Sequence, residues 1–274
     1  MQINDPIDQQ KKLNIIAIAD NSDYGYSALR YGEKLAEVFD ASLTVVTNFG
    51  FSLENKNGIP NTIHSPQSSD CHIRTDYFFP ERLYHYAEET NTIMFVIGID
   101  PVGKEGLFNK KKALRFIKPS RLPVMTVGKK LPSENAFKQV VLPIDIERQA
   151  KEKALWAGYF SRFYQATIHI MHPYYEDEGL QKQVTDNIAF VEKLYHNLDI
   201  SYVLDKVDPQ PNIDLYSLDF ANRVEATLTV IMMTRYYTLA DLLTGPQEKK
   251  VIGNPQEFPV LCINQRDDLY VLCT

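Results

Sequence analysis

The residues best suited to chemistry form a loop bearing glycine and lysine, GIDPVGKEG (98–106), at the end of an apolar run, TIMFVI (92–97). Gly98, Gly103 and Lys104 have the Gly-x4-Gly-Lys spacing with which a P-loop wraps phosphates. In such a loop the glycines let the backbone approach and the lysine supplies charge. The next residue is Glu105, where Mg²⁺ binding requires Ser or Thr, so the motif falls short of a P-loop. A flexible, solvated loop is the plain reading. The alternative is an anion site built from Gly98, Gly103, Lys104, Gly106 and Lys110, since helix N-termini attract anions. Lys111 and Lys112 add positive charge, whereas Asp100 and Glu105 lower the potential and should keep affinity weak. A later stretch, TRYYTLADLLTGP (234–246), offers Arg235 and Gly245. There Tyr236, Tyr237 and Leu239 would crowd a phosphate, and Pro246 lacks an amide hydrogen.

Other candidates are poorer. His169 and His172 lie three apart on a β-rich run, so their side chains face opposite sides and make a poor metal pair. Cys71, beside His72 in the irregular stretch, could be a reactive thiol, with a bystander as the plainer reading. No G-x-S-x-G elbow and no matched Cys/His pattern supports covalent hydrolysis. No catalytic residue and no metal ligand is assigned, and the chain is not expected to be an enzyme. Asp20, followed by Asn21, and Asp145 each close an apolar run just ahead of a helical pattern. An acidic side chain there caps or orients the following helix.

The elements that must position these residues are repeated. Residues 13–47 read as strand, helix, strand, with Ala28, Leu29, Gly32, Leu35, Ala36 and Phe39 at helical spacing. The same unit returns at 138–172: Asp20 matches Asp145, Ala41 matches Ala166 and Val45 matches Ile170 at an offset of 125. Further strands are expected at 92–97 and 123–127 in the first half, and at 200–207, 227–233 and 259–263 in the second. Helices are expected at 80–90, 107–118, 176–198 and 212–226, the last capped by Asn212. Residues 50–80 show no sustained period beyond a short strand in 72–78. Residues 128–138 read as a polar linker, which places the domains at 1–130 and 138–274. In the tail, Leu269–Cys273 is expected to add a strand beside Pro259–Ile263.

The chain has 274 residues, 44% of them hydrophobic, enough for two domains with real cores. A net charge of −6 with both signs interspersed does not suggest a nucleic-acid partner. Three cysteines without a CxxC pair point to a reducing compartment. No apolar run approaches the roughly 20 residues of a membrane span, and the N-terminus lacks the apolar core of a signal peptide. A cytoplasmic location and no membrane partner are therefore expected.

Alternation of strands and helices implies an α/β fold with two tandem doubly wound parallel sheets, order 3-2-1-4-5, and flanking helices. Ligands of such sheets bind outside the carboxyl ends of the strands, where the order reverses. That topology brings Asp20 to Gly98 and Asp145 to Thr234.

A strand ending in Asp, a helix carrying Ala28-Leu29, Gly32 and Leu35-Ala36, then Ala41-x-Leu43-x-Val45 together resemble the universal stress protein family. The Pro-Val strands at Pro123-Val124 and Pro259-Val260 fit it too. The second helix departs from the pattern at Ser161-Arg162. The resemblance implies a tandem protein whose halves pack as an intrachain pseudo-dimer through their last strands. It also implies that Asp20 and Asp145 contact a ribose or adenine. Nucleotide-binding members carry G-x2-G-x9-G-[ST] after the fourth strand; here Gly98 is followed by Pro101, Lys111 and Lys112 at the remaining positions. In the second half Thr234 and Tyr237 replace the first two glycines, and Gly245 comes early. Neither half keeps the pattern, so the expected protein is a non-catalytic stress-response protein with degenerate nucleotide loops. The alternative is an ATP- or nucleotide-binding switch, weakly loaded, with slow or no hydrolysis.

Overall fold

A computed structural model of the protein describes residues 12–47, 71–74, 80–147, 150–233, 248–254 and 256–265. In chain order the first half comprises β1 (Asn14–Ala19), α1 (Asp23–Phe39), β2 (Ser42–Thr47), β3 (Cys71–Arg74), α2 (Pro80–Glu89), β4 (Thr92–Asp100), β5 (Phe108–Asn109), α3 (Lys110–Ile117) and β6 (Val124–Val127). The second comprises β7 (Gln139–Pro143), α4 (Ala150–Tyr164), β8 (Thr167–Pro173), α5 (Glu178–Asn197), β9 (Tyr202–Val207), α6 (Ile213–Arg223), β10 (Leu228–Met233), α7 (Glu248–Ile252) and β11 (Val260–Asn264).

The strands join one eleven-stranded sheet in the order β3-β2-β1-β4-β6-β11-β10-β7-β8-β9, with β5 paired to the end of β4. Each half therefore has the expected 3-2-1-4-5 order, with parallel pairing inside it. All six side chains of the central β1 are buried, as a strand covered on both faces requires. At the far edge, β9 exposes Val203 and Leu204. Helices α1, α4 and α5 cover one face and α2, α3, α6 and α7 the other. Local chemistry sets the helix ends. Ser22 caps α1, accepting from the Gly25 amide at 3.1 Å, and Asn212 caps α6 as expected, accepting from the Leu215 amide at 2.7 Å.

The halves meet where their last strands run antiparallel: Val124 pairs Cys262, Met125 pairs Leu261 and Thr126 pairs Val260. Above this seam, Phe39 of α1 packs on Phe160 of α4 with ring centroids 5.3 Å apart. Phe137 lies between Tyr31 and Phe160, at 6.0 and 5.3 Å. Phe137 belongs to the stretch read as a polar linker, yet it is fully buried, and its amide donates to Thr227 Oγ1 at 2.7 Å. Truncation to residues 1–130 would uncover the outer edge of β6 and these rings. Such a fragment is expected to dimerise or precipitate; a stable monomer in sedimentation would contradict this packing.

One expectation is overturned. Both edges of β11 are taken, by β10 and by β6, so no edge remains for a strand from the tail. Residues 269–273 themselves lie outside the described part of the chain, as do 48–70 and 75–79 of the irregular stretch.

Candidate switch-point site

In the first half the strand order reverses between β1 and β4, and the first turn of α1 sits between their carboxyl ends. Two glycines permit this. A Cβ on Gly25 would lie 2.3 Å from the Asp20 nitrogen, and one on Gly98 would lie 2.0 Å from the Tyr24 carbonyl oxygen. Gly98 is thus a packing glycine, its missing side chain replaced by the α1 backbone. Asp20 is nearly buried and accepts from the Ser22 amide at 2.9 Å and from the Ser22 hydroxyl. Ser22, not Asp20, is the helix cap, and Asp20 orients it.

The GIDPVGKEG segment behaves differently from a strand end followed by a P-loop. Strand β4 continues past Gly98 to Asp100, and Ile99 and Asp100 pair with Phe108 and Asn109 of β5. The helix starts only at Lys110, not directly after Lys104-Glu105 as a P-loop requires. Residues 101–107 form a loop closed at its base by this short pairing. Gly103 and Gly106 hold φ of +77° and +76°, and a Cβ on Gly106 would lie 3.0 Å from Ser22 Oγ and 3.7 Å from Asp20 Oδ2. The structure therefore brings Asp20, Gly98 and Gly106 together.

The loop amides already have an acceptor. Asp100 is 2% exposed; its Oδ1 accepts from the Val102 amide at 2.8 Å and its Oδ2 from the Glu105 amide at 2.6 Å. The amides of Gly103 and Lys104 also turn toward it. Burial alone would push this carboxyl up, but the four amides outweigh burial and hold it below its ordinary value. The first amides of α3 are similarly taken: Asn109 Oδ1 accepts from Lys111 and Lys112 at 3.1 and 3.0 Å. Lys104 is exposed, and the stem of Lys110 lies over Gly253 of the second half. The Tyr24 phenol is pushed up by burial first, then by Asp100, Glu257, Glu105 and Asp23, which marks the crevice as negative.

In the second half, Asp145 Oδ1 accepts from the Glu147 amide at 2.9 Å, and the Asp145 carbonyl accepts from Asn187 Nδ2 at 2.7 Å. Arg235 and Gly245, with Thr234 and Tyr237, lie outside the described residues. Sequence reasoning missed Lys153 and Asp214. Lys153 is almost fully buried, and Asp214 sits in the first turn of α6. Burial raises the Asp214 carboxyl to about 6; Lys153 opposes the shift while Asp145, Glu147 and Glu248 reinforce it. A carboxyl raised above its unfolded value of 3.8 stabilises the fold most at low pH and loses that contribution as pH rises through about 6. Asp214→Asn should therefore gain about 1–2 kcal/mol over the wild type at pH 7 and little at pH 4. Urea unfolding at both pH values measures this, and an equal effect at the two would contradict it.

His169 bridges Asp205 at 2.8 Å and Gln139 at 2.9 Å, holding three strands together. Among the described residues no group of three or more His, Cys, Asp or Glu could hold a metal, and no helix is long and apolar enough to cross a membrane.

No family model and no curated protein sequence matches the chain. Solved structures do. A universal stress protein from Archaeoglobus fulgidus DSM 4304 is 13% identical with a TM-score of 0.65, covering 93% of this chain and 97% of its own. A putative universal stress protein from Pseudomonas aeruginosa UCBPP-PA14 is 14% identical with a TM-score of 0.58, covering 96% of each chain. A protein of unknown function from Pseudomonas aeruginosa PAO1 is 12% identical at a TM-score of 0.60. At such identities the likeness is one of fold, and it bears out the fold that the sequence motifs implied.

Proposed function

We propose that this chain is a non-catalytic, cytoplasmic stress-response protein of the universal stress type whose switch-point loops no longer serve nucleotide phosphates. The observation that carries the reading is Asp100: a carboxylate of the protein already takes the loop amides a phosphate would need. Charge supports it. A nucleotide entering the first crevice would face Asp23, Asp100, Glu105 and Glu257, which raise the Tyr24 phenol. In the second crevice it would face Asp145, Glu147, Asp214 and Glu248, with Lys153 in opposition. Like charges at such range oppose binding. The protein would then act through its surfaces, the two domains, 1–130 and 138–274, held as one body by the β6–β11 seam.

The competing reading is a nucleotide-binding switch. The approach of Gly106 to Asp20 favours it, and Lys104 and Lys110 would supply its charge. Calorimetric titration with ATP decides between them. The proposed reading expects no saturation below about 1 mM, or no more than about 4 kcal/mol of binding. Saturable binding in the low micromolar range, lost in Lys104→Ala, would establish the switch.

A further inference from the structure

We propose that loop 101–107 is an oxyanion site that carries its own ligand, the Asp100 carboxylate, and that removing this carboxylate opens the site to a small monovalent oxyanion. The inference deepens the reading above and rests on it.

Three observations carry it. First, the loop is competent for an oxyanion because it binds one: both Asp100 oxygens accept amide hydrogens, at 2.8 and 2.6 Å, in a side chain 2% exposed. Successive amides converging on one acceptor form the kind of concavity that holds anions elsewhere. Second, the cradle is supported from outside. Its base is closed by the Ile99–Phe108 and Asp100–Asn109 pairs. Its far side rests on neighbours, Gly103 against Asn109 Cβ and Gly106 against Ser22 Oγ, at 3.3 and 3.0 Å from an added Cβ. Gly103 and Gly106 supply the positive φ that this shape needs. Third, the cradle lies just beneath solvent, since residues 102–106 are exposed.

Size and charge define the ligand class. Asp100→Ala removes a group the size of formate. The remaining carboxylates that act on Tyr24, Glu257, Glu105 and Asp23, disfavour a dianion such as phosphate more than a monoanion. Formate is therefore the matching probe, and phosphate and ATP are the larger, more highly charged comparisons.

The test uses the full chain in three forms: wild type, Asp100→Ala and Asp100→Asn. Thermal unfolding is followed in sodium formate and in sodium chloride at equal ionic strength. Asp100→Ala should melt below the wild type and gain about 3 °C or more from formate relative to chloride, increasing with formate concentration as binding to the native state requires. The wild type and Asp100→Asn, whose cradles stay filled, should show coincident curves in the two salts. Coincident curves for a folded Asp100→Ala would overturn the proposal. If Asp100→Ala does not fold in chloride, recovery of folded protein from formate alone supports the proposal, and failure in both salts overturns it. Tight ATP binding by the wild type would instead overturn the functional reading, whatever formate does to the variant.

Discussion

Replacing Gly98 with alanine should cost about 3 kcal/mol of stability or more, near the top of the range for overpacked sites. The added Cβ would stand 2.0 Å from the Tyr24 carbonyl oxygen and 2.4 Å from its carbon. Those are main-chain atoms of the first turn of α1, already fixed by Ser22 and Asp20. Relief would require α1 to lift away from β4, opening the core that Leu29, Leu35 and Val96 share. The expectation separates packing from ligand approach. A glycine kept for a phosphate would lose binding on substitution and leave stability nearly intact. Gly103→Ala is the internal comparison: it has a positive φ but no main-chain clash, so its penalty should be about 1–2 kcal/mol. Urea denaturation of both variants measures the difference. A loss below 1 kcal/mol for Gly98→Ala would contradict the packing role.

Phe137→Ala should be comparably severe, about 3–5 kcal/mol, the usual range for a fully buried phenylalanine. Its ring touches Tyr31 from the first half and Phe160 from the second, so the cavity would open where the halves meet. Because that core is continuous across the halves, the whole unfolding transition should move together. Circular dichroism and tryptophan fluorescence, which reports on Trp156 of the second half, should give coincident curves. A loss below 1 kcal/mol, or two separated transitions, would show that the halves do not depend on this contact.

Much of the fold was legible in the chain. Periods of two and 3.6 residues are local, so β1, α1 and their repeats could be placed, and the offset between Asp20 and Asp145 revealed the duplication. Strand order followed from the handedness of crossovers. Long-range contacts were less visible. The neighbour of Gly98 is Tyr24, far back in the sequence, so Gly98 reads as a phosphate glycine until the helix is seen beside it. Phe137 lies among polar residues, and only the seam shows why it is buried. A strand from the tail has no place beside β11 because β6 of the other half takes that edge, a pairing no local period reveals. The role of Asp100 did leave a signal: Asp100-Pro101-Val102-Gly103 is the pattern in which an Asp side chain accepts the amide two residues on. Lys153 and Asp214 left none, because their charge coupling joins α4 to α6, helices far apart in sequence.

The most direct test of the central claim, that the switch points do not hold a nucleotide, is mass spectrometry of the extract released when the purified full-length protein is denatured. The account predicts no nucleotide beyond trace amounts. ATP, AMP or another nucleotide approaching one per chain would contradict it.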